Sequence, residues 1–268
     1  MSIATVAGYL AIGGVSGFFA GLLGIGGGIV LVPALLVALG AAGFPPELIF
    51  QTALGTSMAT ILFTAASSLR SHHAYGAVRW PVVRNFAPGV LLGTGLGSLV
   101  ARHVPTAGLT VFFCLFLIVV AAQMALGLRP KPGRALPGRM GQSVAALGIG
   151  MVSSLVAVGG GAMTVPFLVW CNVPVRQAIG TSAAVGLPIA FGGTLGYVLN
   201  GWFAAGLPAG SIGFVYLPAL AWTVLASALT APFGAHAANR LPGVLLRRVF
   251  AALLLLVAWR MLGELWAG

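Results

Sequence analysis

Acidic residues are almost missing from this chain. Glu47 and Glu264 are its two carboxylates, set against thirteen Lys and Arg in 268 residues, and charged side chains make up 6% of the total. A soluble domain carries about a quarter charged residues, so this composition does not cover a water-facing surface. Neither Glu lies deep in an apolar run, where proton relays and cation sites place a carboxylate. The two cysteines, Cys114 and Cys171, fall in or beside apolar segments without disulfide or metal-ligand spacing. His72, His73 and His103 fall in loops and His236 toward a segment end, so no metal site is expected. The 40 glycines show no three-residue period, which excludes collagen. No G-x-x-x-x-G-K-[ST] is present, so the chain carries no P-loop ATP engine. Its basic residues punctuate the gaps between apolar runs instead of forming the patch that nucleic acid requires, and no nucleic-acid partner is expected. The start, MSIATVAGYL, lacks the basic n-region of a cleavable signal peptide.

Apolar sequence fills the space. Hydrophobic residues make up 59%, mean hydropathy is +1.08, and runs such as 109–126 and 244–265 approach the ~20 residues that cross a bilayer. This predicts an all-α polytopic membrane protein with the lipid bilayer as its surroundings. Length and breakers place segments at 3–23, 29–43, 47–69, 82–101, 107–128, 142–158, 162–172, 176–199, 211–233 and 244–266. The one soluble-looking stretch, RPKPGRALPGR at residues 129–139, reads as a cytoplasmic linker. The expected organisation is repeat 1 over 1–128, linker over 129–141 and repeat 2 over 142–268.

The halves resemble each other. GFFAGLLGIGGG at 17–28 aligns with GMVSSLVAVGGG at 150–161, with Ala157-Val158 where the first half has Gly24-Ile25, and Pro33 then matches Pro166. Farther on, QTALGTS at 51–57 matches QAIGTS at 177–182 after a gap, so Gln51 pairs with Gln177. Charge decides how the repeats are related. If each Gly-interrupted pair, 3–43 and 142–172, enters and returns to one side, eleven basic residues lie inside and only Arg102 and Arg260 outside. A single crossing per pair gives parallel repeats and a poor bias. The positive-inside rule therefore predicts an inverted-topology repeat, each half a Gly-broken helix pair plus three transmembrane helices. The segment 29–43 would span only about 22 Å at ~1.5 Å per residue, short of a ~30 Å core, which favours half-helices in the broken pairs.

Consecutive glycines at both symmetry-related places imply a helix break at membrane depth, where exposed backbone is tolerated if it lines a cavity or is buried in protein. A helix restarting after the break offers free N–H groups and its positive dipole end to an anion. The expected substrate site is Gly26, Gly27 and Gly28 with Gly159, Gly160 and Gly161. The hydroxyls of Thr56, Ser57, Thr181 and Ser182 would add donors. Gly89, Gly93 and Gly97, with Ala219, Thr223 and Ser227 as counterparts, form a close-packing ridge. Trp80, Trp202 and Trp266 suit interfacial anchors. An alternative is an intramembrane serine hydrolase using Ser57 or Ser182 with His236. The serine is duplicated whereas His236 aligns with Leu99, so a dyad breaks the symmetry, and no enzymatic activity is expected.

GLLGIGGGIVLVPAL and ALGTSMA, then VAVGGGAMTVPFL and AIGTSAAV, resemble the TauE/SafE family of membrane permeases along almost the whole chain. The resemblance implies a secondary permease of a bacterial inner membrane, without a cofactor. Its substrate would be a small sulfur-containing anion, an organosulfonate, sulfite or similar oxyanion, moved by alternating access about the paired breaks.

Overall fold

The computed structural model describes residues 3–23, 27–126, 133–238 and 243–267, and in them the apolar runs form helices bounded by proline and glycine. The first half carries α1 (Ile3–Leu23), α2 (Gly28–Ala41), α3 (Pro46–Ala74), α4 (Trp80–His103) and α5 (Thr106–Ala125). The second carries α6 (Arg139–Val156), α7 (Gly161–Trp170), α8 (Val175–Gly201), α9 (Leu217–Ala238) and α10 (Gly243–Ala267). Each expected segment overlaps one helix, with two corrections: α3 runs on to Ala74 and α4 to His103, so His72, His73 and His103 stand in the last turns of helices and not in loops, and the start of α9 differs. Residues 211–216 are not helical but form a two-stranded hairpin, β1 (Ser211–Ile212) against β2 (Val215–Tyr216). Gly213 turns it at φ 54°, and the Phe214 N–H donates to Tyr197 O at 3.1 Å, tying the turn to the end of α8.

Pro46 stands in the first turn of α3, and Pro105 and Pro174 precede α5 and α8, positions where a missing N–H costs nothing. The short helices α2 and α7 end alike, through a left-handed residue, Gly43 at φ 78° and Asn172 at φ 60°. The Phe44 and Val173 N–H groups then reach back to the carbonyls of Leu39 and Leu168, satisfying otherwise orphaned acceptors. Among the described residues, five helices are long and apolar enough to cross a membrane: 3–22, 46–74, 106–125, 175–201 and 217–234. The shorter members of the Gly-interrupted pairs have 14 and 10 residues, about 21 and 15 Å at ~1.5 Å per residue, too short to cross alone.

Packing exchanges partners between the halves: α1 lies along α9, and α6 along α4. Small residues make this close approach possible. A Cβ on Gly13 would meet Thr223 O at 2.5 Å and one on Gly17 would meet Ser227 Cα at 2.5 Å, so α1 and α9 run parallel. Gly89, Gly93 and Gly97 press on Ser143, Leu147 and Met151 in the same sense, so α4 and α6 are parallel too. The ridge is therefore a pair of helix seams in which side chains are excluded by backbone. Between them the equivalent helices α3 and α8 meet: Gly55 faces Tyr197, Met58 faces Gly193, and Ala65 faces Gly186. That order makes α3 and α8 antiparallel.

Connections sort to two ends. At one, Gly133 and Arg134 N–H groups donate to Trp170 O, Arg176 Nη2 donates to Tyr75 O, and Arg79 Nε donates to Gln177 Oε1 at 2.6 Å. At the other, Gln51 Nε2 donates to Ala101 O at 3.3 Å and the Thr106 hydroxyl to Pro46 O at 2.9 Å. Arg102 and Arg260 lie toward this second end, and the described remainder of the basic residues toward the first. Trp80 and Trp202, exposed at helix ends, suit interfacial anchors. The Trp266 side chain, like Arg129, Lys131 and Arg240, lies outside the described residues.

Candidate functional site

The first break joins α1 to α2. Of its glycines, Gly24 and Gly26 lie outside the described residues, as does Ile25. Gly27 precedes α2 at φ 72°, a left-handed conformation that glycine adopts without the penalty a side chain brings. A Cβ there would stand 3.0 Å from both Ser16 O and Ala20 Cβ. Gly28 opens α2 and lies directly under the carbonyl oxygen of Ala157, with Ile61 Cδ1 also in the space a Cβ would need. Ala157 belongs to the second break. The two breaks thus touch in the interior, backbone against backbone.

The second break joins α6 to α7. Ala157 ends α6 at φ 45°, and the Val158 N–H folds back to Ser153 O at 3.0 Å. Gly159 and Gly160 are buried and Gly161 half-buried. Gly160 backs onto α8: a Cβ would stand 2.5 Å from Ser182 O, 3.1 Å from Gly186 N and 3.3 Å from Ser182 Oγ. The first N–H of α7 to find a helical carbonyl is that of Thr164, which bonds Gly160 O at 2.9 Å. Those of Gly161, Ala162 and Met163 precede it, and α7 has no side-chain cap at its positive end.

The duplicated Gly-Thr-Ser turns divide their labour. Thr56 Oγ1 accepts the Tyr216 N–H at 3.0 Å, and Thr181 Oγ1 accepts the Arg79 N–H at 3.0 Å. Tyr216 and Arg79 each stand just before the fourth helix of the opposite half, α9 and α4, so the threonines fasten the halves together. Each keeps its own proton to donate. Ser57 and Ser182 differ. Their hydroxyls are buried, 0% and 1% exposed, and have no hydrogen-bond partner among the described residues. A serine in a membrane helix ordinarily bonds back to its own helix, as Ser16 and Ser98 do here. Ser182 lies beside Gly160; Ile61, one turn beyond Ser57, packs on Gly28. The structure therefore brings Gly28 to the second break and Gly160 to Ser182.

One residue escaped sequence reasoning. Thr164 Oγ1, in the first turn of α7, is also fully buried and unpartnered. Its signal was a hydroxyl within GGGAMTVP where the first half has Leu31.

The surroundings favour an anion by lacking competitors. Glu264 is on the surface, 3.2 Å from Arg260, and Glu47 opens α3 at a helix end. Burial pushes the Cys171 thiol up from its ordinary value, with Arg134 partly opposing. His236 is exposed near the end of α9, away from the buried serines, and provides no base for a hydrolase. An apolar recess of about 340 Å³ lies elsewhere, lined by residues of α2, α5 and α10, including Val30, Thr110 and Met261, with Phe50 of α3.

Over residues 9–261 the chain matches the family described as sulfite exporter TauE/SafE. A probable membrane transporter protein of Haemophilus influenzae is 36% identical over 255 residues, covering 94% of this chain and 96% of its own. A second, from Xylella fastidiosa, is 32% identical over 266 residues, covering 92% and 93%. The probable membrane transporter protein YunE of Bacillus subtilis is 24% identical over 213 residues, covering 72% and 78%. No solved structure matches.

Proposed function

The chain belongs to the TauE/SafE sulfite exporter family, a family of membrane transporters, and on that premise we propose that it is a secondary permease for a small sulfur-containing oxyanion in a bacterial inner membrane. The anion, a sulfonate, sulfite or similar species, is held where the two breaks meet. Gly159 to Gly161 supply backbone and Ser182 supplies a hydroxyl, while Gly27, Gly28, Thr56, Ser57 and Thr181 belong to the contact about which the halves move. The observation that carries this reading is Ser182: a buried hydroxyl without a protein partner, beside an uncapped helix N-terminus, in an interior without carboxylates. An unmet buried hydroxyl costs roughly 1–3 kcal/mol, which a bound acceptor recovers. An oxyanion is such an acceptor, and the α7 dipole compensates its charge without a buried cation.

The repeats, 1–128 and 142–268 about the linker 129–141, are inverted in this proposal. Antiparallel α3 and α8, the exchanged seams and the collection of basic residues at one end all support it. Alternating access then consists of one half rocking on the other about the touching breaks. Cysteines placed at Arg134 and Phe203 are expected to label from opposite faces of the membrane, Arg134 from inside; labelling from one face contradicts inversion.

Ligand-induced stabilisation tests the substrate class. Purified protein is heated with sulfite, thiosulfate, taurine, sulfoacetate or an aryl sulfonate. A ligand at a hundred times its Kd adds about 2.7 kcal/mol. At least one of these is expected to raise the melting temperature, and choline is not. No stabilisation by any of them would overturn the proposal.

A further inference from the structure

The two breaks are not equivalent as ligand sites. Carbonyl oxygens back onto glycines at both: Ala157 O over Gly28 and Ser16 O 3.0 Å from the Cβ position of Gly27 at the first, and Ser182 O 2.5 Å from that of Gly160 at the second. The difference between them lies in the hydroxyl donors. The residue one turn into α2 that faces the same structural position as Thr164 is Leu31, buried and without a donor.

At the second break the donors accumulate. Ser182 Oγ lies beside Gly160, and Thr164 Oγ1 lies in the first turn of α7. A helical Cα–Cβ bond tilts toward the N-terminus, so the Thr164 hydroxyl leans over the free N–H groups that begin α7. What sets Thr164 apart is the bond it does not make. Thr52, Thr60, Thr110, Thr194, Thr223 and Thr230 each donate to the carbonyl four residues back. Thr164 is 0% exposed, and its hydroxyl has no hydrogen-bond partner among the described residues.

Resting on the permease reading, we infer that the oxyanion binds once per chain, on the second break alone, and that Thr164 is a binding residue that donates its hydroxyl to it. Ser182 and the first N–H groups of α7 complete the set. The first break then serves as the moving partner that seals against Ala157, and Ser57 contributes no bond to the ligand.

Calorimetric titration of the purified full-length protein in nanodiscs with sulfite, and separately with p-toluenesulfonate, tests this. The unaltered protein is expected to bind one anion per chain. Thr164→Val should weaken binding about two- to twelve-fold, the range of one neutral hydrogen bond, and Thr164→Ser should restore it. Ser57→Ala should leave affinity within experimental error. Two anions per chain in the unaltered protein overturn the inference, and so does a Ser57→Ala loss as large as that of Thr164→Val. An unaffected Thr164→Val overturns it as well, while leaving the permease reading intact. Absence of binding by the unaltered protein to both probes, alongside absent ligand stabilisation, counts against the permease reading itself.

Discussion

Gly160→Leu is expected to abolish oxyanion binding and transport while the protein still inserts and purifies. Gly160 rests against α8 so closely that a Cβ alone would stand 2.5 Å from Ser182 O and 3.1 Å from Gly186 N. Neither neighbour is a flexible side-chain end, so α7 must move away from α8, and the Leu side chain fills the space beside Ser182 Oγ. Both changes separate the hydroxyl from the helix N-terminus that act on the anion together. Affinity should fall at least a hundredfold, about 2.7 kcal/mol, and ligand-induced stabilisation should vanish. Gly93→Leu is the matched comparison. Gly93 packs on Leu147 backbone in the seam between α4 and α6, before α6 reaches the second break at Ala157, so this change should reduce folded yield and spare ligand stabilisation in what folds. Normal binding in Gly160→Leu would mean that the glycine serves packing alone.

A change at the other break should separate binding from movement. Gly28→Val is expected to cut flux at least tenfold and to leave equilibrium affinity within a few-fold. The added side chain has no room: Ala157 O lies directly over the glycine and Ile61 Cδ1 would be 2.8 Å from the Cβ. Ile61 can yield; the carbonyl belongs to the backbone and cannot without shifting the second break. Overpacking of this kind costs about 1–3 kcal/mol, so the melting temperature without ligand should fall as well. With the anion held on α7 and α8 as proposed, its affinity depends on Gly28 only through that shift. Loss of affinity as large as the loss of flux would show that the first break holds the anion directly.

Much of this architecture was legible in the sequence because its signals are local. Pro46, Pro105 and Pro174 mark helix starts by their own chemistry, and consecutive glycines at 26–28 and 159–161 mark breaks. The hairpin at 211–216 was not legible. Val215 and Tyr216 continue an apolar run, and only the bond from Phe214 N–H to Tyr197 O, contributed by a distant segment, shows why the helix waits until Leu217. The hydroxyls show the same limit more sharply. Sequence placed Thr56, Ser57, Thr181 and Ser182 in one class. Their partners lie in the opposite half, Tyr216 for Thr56 and Arg79 for Thr181, and the rotation of α3 and α8 that sends one hydroxyl to a backbone N–H and its neighbour to none is set by packing. Thr164 was overlooked for a related reason. A lone hydroxyl in an apolar helix bonds back to its own turn by default, and that it does not is visible only in three dimensions.

The central claim is that this chain carries a sulfur oxyanion across a bilayer by alternating access at the touching breaks. Counterflow in proteoliposomes reaches it most directly. Liposomes loaded with unlabelled sulfite are diluted into a trace of radiolabelled sulfite, and p-toluenesulfonate is tested in a parallel set. Transient accumulation of label above equilibrium, abolished by Gly160→Leu, is the predicted result for at least one of the two. Label that never exceeds its level in protein-free liposomes, for either anion, would contradict the account.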